Sequence, residues 1–153
     1  MLQIFMRWFT NKPQAVNSTP KGVIEIDSAT RQGGELIGRS VVAQLDAGGY
    51  KSLYSVGRHR PVVLGYLAAM AEAMAIRLDG ENYHERYLAL FIIAFEQVAG
   101  DPVLALAATD ECEQLTAQKD NDYSTGGLMG KNDFQLLAQR VEPQRLTNYF
   151  RTQ

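Results

Sequence analysis

Asp120, Asp122 and Ser124 carry side-chain oxygens at alternating positions, the spacing that opens a calcium loop. An EF-hand also requires glycine at its sixth position and a bidentate glutamate at its twelfth. Thr125 and Lys131 hold those places, and an ammonium group where a ligand belongs repels the ion. The same stretch continues as Gly126-Gly127-Leu128-Met129-Gly130-Lys131, which has the composition of a phosphate cradle. A P-loop needs glycine and then Ser or Thr where Thr125 and Asn132 stand, and no strand precedes it. The composition of 120–131 instead predicts a surface loop, with Tyr123 as an aromatic contact for a partner.

The other reactive residue types fare no better. His59 and His84 are the two histidines, and Cys112 is the single cysteine. His84-Glu85 begins like a zinc-protease helix, but Leu88 stands where the second histidine belongs. Cys112 lies between Glu111 and Glu113, and negative neighbours disfavour the thiolate a nucleophile needs. There is no Gly-x-Ser-x-Gly elbow and no nucleophile with a recognisable base and orienter. No cofactor, metal site or catalytic set is expected. Glu72 is isolated in an apolar run, which predicts a buried acid paired with Arg39 or Arg77, because buried charges need partners. An alternative function, a small-ligand binder or enzyme, would use a pocket between helices lined by Tyr54, Glu72, Tyr83 and Arg86.

The run that would position these residues is 61–98, PVVLGYLAAMAEAMAIRLDGENYHERYLALFIIAFEQV, the longest apolar stretch in the chain. Val63, Leu67, Met70, Met74 and Leu78 recur at helical spacing, with a second apolar strip beside them. A helix apolar nearly all round belongs in the centre of a domain. Gly80 suits the left-handed end of this helix. Asn82 and Glu85 have capping-box spacing for a second helix, which Gly100 ends. Each half is too short or too charged for a membrane-spanning hairpin. As a DNA-reading helix–turn–helix it also fails, since its second helix offers too few polar side chains to base edges.

Around this hairpin, Ile37, Val41 and Leu45 predict a helix over 35–45, and Leu53, Tyr54 and Val56 a buried helical turn. Asp101-Pro102 reads as the start of a helix that carries Leu104, Ala108 and Leu115, with a break near Thr109. Asn132 and Gln135 resemble a cap for a helix bearing Phe134, Leu137 and Val141. Pro143 opens a last short helix with Leu146, Tyr149 and Phe150. Thr10 to Gly34 has loop composition, with a short extended segment at Val23–Ile26. The predicted fold is all-α: a compact single-domain bundle of five to seven helices around the 61–98 hairpin. Residues 1–34 form an apolar strip and strap, and 35–153 the helical domain.

The chain has 153 residues, a net charge of −2 and 46% apolar residues, a composition that suits one globular domain. The charge argues against a nucleic-acid partner. The lone cysteine and the absence of a signal-peptide pattern suit a cytoplasmic protein. The expected function is a non-catalytic protein–protein interaction module of the adaptor, chaperone or immunity type. Its contacts are expected on the N-terminal strip (Leu2, Ile4, Phe5, Trp8, Phe9), the basic turn Arg58-His59-Arg60, and Tyr123. A second copy of the chain is one partner the strip would suit. Peripheral membrane contact is expected only through residues 1–9.

Overall fold

The computed structural model describes residues 26–153. The N-terminal strip with Phe5, Trp8 and Phe9, and nearly all of the Val23–Ile26 segment, lie outside the described residues. Within them the chain is all-α, with six α-helices and no strand. These are α1 (Ser28–Ala47), α2 (Arg60–Asp79), α3 (His84–Ala99), α4 (Val103–Ala117), α5 (Asn121–Ala138) and α6 (Arg145–Arg151). Short 3-10 turns at Leu53–Ser55, Gly57–His59 and Gly80–Asn82 complete the connections.

The hairpin forms where the hydrophobic pattern places it. Nearly all of α2 from Val62 to Ala71 is buried, as is α3 from Leu88 to Phe95. With its flanking turns, the α2 segment Gly57–Asn82 is long and apolar enough to cross a membrane, but here 61% of its most apolar window is buried against other helices. Gly80 and Gly100, both at positive φ, terminate α2 and α3. The capping box at Asn82 and Glu85 does not form: the backbone passes through a 3-10 turn, and Tyr83 precedes α3 without a side-chain cap.

Each hairpin helix packs more extensively on a third helix than on its hairpin mate, α2 on α5 and α3 on α1. Glycines make both approaches. Gly65 faces the Tyr123 carbonyl and Gly126 the Val62 carbonyl so closely that a Cβ on either would overlap the opposing oxygen. Gly130 lies against Tyr66 and Ala69. Contact positions rise together along both chains, so α2 and α5 run parallel. Gly34 and Gly38 do the same for α1 against Ile93 and Gln97 of α3, again in parallel. Small residues let helix backbones meet at this distance, and the dispersion gained compensates their poor helix propensity.

These contacts correct three expectations. Residues 120–131 are not a loop but most of α5, capped by Asp120, whose carboxylate accepts the Tyr123 N–H at 2.8 Å. Asn132 lies inside that helix and caps nothing. Likewise α1 begins at Ser28, capped by Asp27 through the Thr30 N–H, so Gly33 and Gly34 are helical rather than part of a strap. Finally, α4 is unbroken at Thr109, whose hydroxyl donates to the Leu106 carbonyl within the helix. Asp101 caps α4 through the Val103 N–H, but Ala105, Ala108, Thr109 and Cys112 face inward while Leu104 is exposed.

Helices α1, α4 and α5 end alike. In each, two backbone N–H groups fold back on the last turn: Gly49 and Tyr50 on Asp46 and Leu45, Lys119 and Asp120 on Thr116 and Leu115, Arg140 and Val141 on Leu137 and Leu136. The first residue of each pair is left-handed, at φ 88°, 53° and 61°. This is the Schellman closure, usually built on glycine. Lys119 and Arg140 adopt it at a steric cost.

Candidate functional site

The residues singled out in the sequence do not form one surface. Of the basic turn, only Arg58 is exposed. His59 is buried, with its ring edge-on to Tyr149 and Phe150 at centroid separations of 5.5 and 5.8 Å, and its Nδ1 3.3 Å from the Tyr149 hydroxyl. Arg60 opens α2 and grips Glu111 of α4, its Nε and Nη2 donating to the carboxylate at 2.9–3.0 Å. That partner holds the Arg60 guanidinium above its ordinary range. Cations at the start of α2 oppose its dipole, and the structure offsets this by pairing one of them. Tyr123 lies half-buried in α5 against the core.

The alternative pocket does not assemble either. Glu72 is half-buried and accepts a hydrogen bond from the Tyr83 hydroxyl at 3.3 Å. It pairs with neither Arg39 nor Arg77, and Arg39 instead approaches Glu35 at 3.8 Å. Arg86 is fully engaged: its Nε donates to Asp79 at 2.6 Å, and Nη1 to Asp27 at 2.8 Å and Thr30 at 2.7 Å. These bonds to Asp79 first, then Asp27, raise its already high pKa further. Arg86 thus ties the start of α1 to the α2–α3 turn. Tyr54 is exposed and lies near Arg60, at the opposite end of α2 from Glu72.

Cys112 is buried, and burial pushes its thiol up to about 12, with Glu111 adding to the effect and a Tyr123 hydrogen bond opposing it. A thiol so held is protonated at neutral pH and inert.

The most elaborate polar arrangement was not foreseen. The Tyr66 hydroxyl, on α2, donates to Asp133 of α5 at 2.7 Å and accepts from Gln44 Nε2 of α1 at 2.8 Å. The same two partners cap α6, Asp133 through the oxygen that already accepts from Tyr66 and Gln44 through its other end. Asp133 Oδ2 accepts the Arg145 N–H at 3.1 Å, and Gln44 Oε1 accepts those of Leu146 and Thr147 at 3.0 and 3.3 Å. Three N–H groups of the first turn of α6, which has no local side-chain cap, are thereby satisfied. Asp133 is completely buried; Arg145 Nε lies 3.2 Å from Oδ1 as an ion pair, but at an angle that makes no hydrogen bond. Burial pushes the Tyr66 phenol far above its ordinary range; the Gln44 amide works against this and Asp133 adds to it. No sequence signal pairs residues this far apart. Apart from Asp133 Oδ1, which faces the Arg145 guanidinium without a hydrogen bond, the side-chain polar atoms of Tyr66, Gln44 and Asp133 are spent on joining helices, so the chemistry of the junction is structural.

What the described surface offers instead is an apolar depression. Leu36 of α1, Met74 of α2, and Phe134 and Leu137 of α5 line a groove of about 210 Å³, with Arg77 and Arg140 beside them. Leu36 is 42% exposed, and Leu78, one turn beyond Met74, 40%. The chain matches no protein-family model, no curated protein and no solved structure.

Proposed function

We propose that the protein is a non-catalytic protein–protein interaction module acting in the cytoplasm. One observation carries this reading. Large apolar side chains from three helices (Leu36, Met74, Leu137) line one groove and stay partly open to water, and Leu78, one turn beyond Met74, is exposed as well. Scattered exposed leucines need no explanation; this groove is small, but apolar side chains from three helices converge on it, which is where a single anchoring side chain of a partner would seat. The engagement of Arg60, Arg86, Asp133 and Cys112 in packing and ion pairs supports the same reading. The buried free thiol of Cys112 suits a reducing compartment.

Native size-exclusion of the tagged full chain in extract of its own cells tests this. The expected result is elution well above the 17.0 kDa monomer mass, with release to monomer on Leu36→Ser/Leu78→Ser or on Trp8→Ala. Wild type running as a bare monomer in the extract, unchanged by either variant, would overturn the reading.

A further inference from the structure

Resting on that reading, we propose that the Leu36–Met74–Phe134–Leu137 groove receives an acidic amphipathic segment of another protein: an apolar anchor between the helices, bracketed by carboxylates on Arg77 and Arg140. Three observations lead there. First, the groove's volume, about 210 Å³, falls below the roughly 300 Å³ at which small-molecule pockets begin, but accommodates a large anchoring side chain. Second, its charge has one sign. Two guanidinium groups, those of Arg77 and Arg140, and no carboxylate line it, and among the described residues neither arginine is drawn into an ion pair. Third, Arg140 stands at φ 61°, in the position of the α5 closure that glycine favours. Lys119 bears the same strain away from the groove, so the strain by itself assigns nothing; it does fix Arg140 at the rim, where a planar guanidinium suits a carboxylate.

Charge complementarity also separates the candidates for occupant. The N-terminal strip MLQIFMRWF carries Arg7 and no acid, so it would bring like charge to this rim. A helix with Asp or Glu flanking a leucine stripe brings the opposite charge.

Two synthetic helical peptides with the same Leu/Ala stripe, flanked in one by Glu and in the other by Lys, form the test against isotope-labelled full chain. The expected outcome is saturable shifts at the Leu36, Met74 and Leu137 amides, with the Glu peptide binding about tenfold more tightly. Arg77→Glu/Arg140→Glu, both at exposed sites, should keep the helical circular dichroism and reverse the preference. Shifts located elsewhere, equal binding of both peptides, or a preference that survives the charge reversal would overturn the proposal. So would concentration-dependent dimerisation abolished by Leu36→Ser, which assigns the groove to a second copy. Binding of anionic vesicles but of neither peptide overturns it too, in favour of a lipid surface. If the peptides fail while the native assembly still depends on Trp8, the groove loses its role and the interaction reading stands.

Discussion

The α2–α5 seam and the junction beneath α6 lie side by side in the bundle and hold it together by opposite means. At the seam, Gly65 and Gly126 set backbone against backbone with no side chain between them. At the junction, Tyr66, Gln44 and Asp133 fill the same interior with polar atoms and spend nearly all of them on hydrogen bonds. The seam tolerates no added volume, because the atom displaced would be a main-chain oxygen. The junction tolerates no lost partner, because a buried donor left unpaired forfeits its hydration without compensation. Helices α2 and α5 each serve both: Tyr66 immediately follows Gly65 on one, and Asp133 lies two turns beyond Gly126 on the other.

The largest expected effect breaks the seam. Gly65→Ala or Gly126→Ala should cost more than about 3 kcal/mol, since neither helix can withdraw without opening the core. Gly34→Ala, at the α1–α3 seam, meets Cβ and Cγ2 of Ile93 at 2.7 Å and should cost about half as much, because the overlap is shallower and falls on side-chain carbons rather than a main-chain oxygen. Chemical denaturation of the three variants, with equal loss at all sites as the contrary result, decides whether the opposing backbone sets the cost. Next comes the junction. Asp133→Ala should cost about 2–3 kcal/mol, and Asp133→Asn, whose one oxygen can still accept from both Tyr66 and the Arg145 N–H while the ion pair with the Arg145 side chain is lost, about 1. If the two behave alike in thermal melts, the carboxylate's bonds are not what holds α6.

Smaller effects sharpen the contrast between glycines that pack and residues that turn. Arg140→Gly and Lys119→Gly should each stabilise the fold by about 0.5–1 kcal/mol, since glycine relieves the left-handed strain at some cost in unfolded-state entropy. A loss of stability in denaturant titrations would show that those side chains contribute contacts worth more than the strain. The smallest effect is set by acid. The Thr30 N–H and hydroxyl and the Arg86 guanidinium hold Asp27 down from 3.8 to about 2. Its pKa is lowered on folding, so its contribution is present above about 4 and lost as pH falls towards 2. Asp27→Ala should flatten the stability slope in that window, and parallel acid titrations of variant and wild type would show it; identical slopes would remove the cap from the account. The carboxylate is half exposed, so the change is small.

Much of this architecture was legible in the sequence, and what was not has one main cause. The hairpin, its two glycine stops and the all-α class follow from apolar spacing over 61–98. The first half of α5 and the start of α1 were hidden by their glycines, which in sequence read as breakers. Tyr123, Gly126, Gly130 and Phe134 in fact keep the period of a buried face, as do Thr30, Gly34, Ile37 and Val41. A glycine at such a position costs roughly 1 kcal/mol of propensity, and tertiary contact repays it. The basic turn misled for a different reason: adjacent residues in a tight turn point apart, so Arg58, His59 and Arg60 meet solvent, the core and Glu111 respectively. The groove was invisible because its lining comes from three helices whose mutual packing no local pattern encodes.

The remote capping of α6 also bears on how the chain reaches its native state. Gln44 lies 102 residues before Leu146, whose N–H it accepts. A seven-residue helix has little tendency to nucleate alone, so α6 should acquire its first turn only after α1, α2 and α5 have assembled around Tyr66. During synthesis the bundle then stays unfinished until its last helix has emerged. Closure of so long a loop would be a late and comparatively slow step. A ribosome stalled before Arg145 would hold a bundle with Gln44 and Asp133 still waiting for their partners.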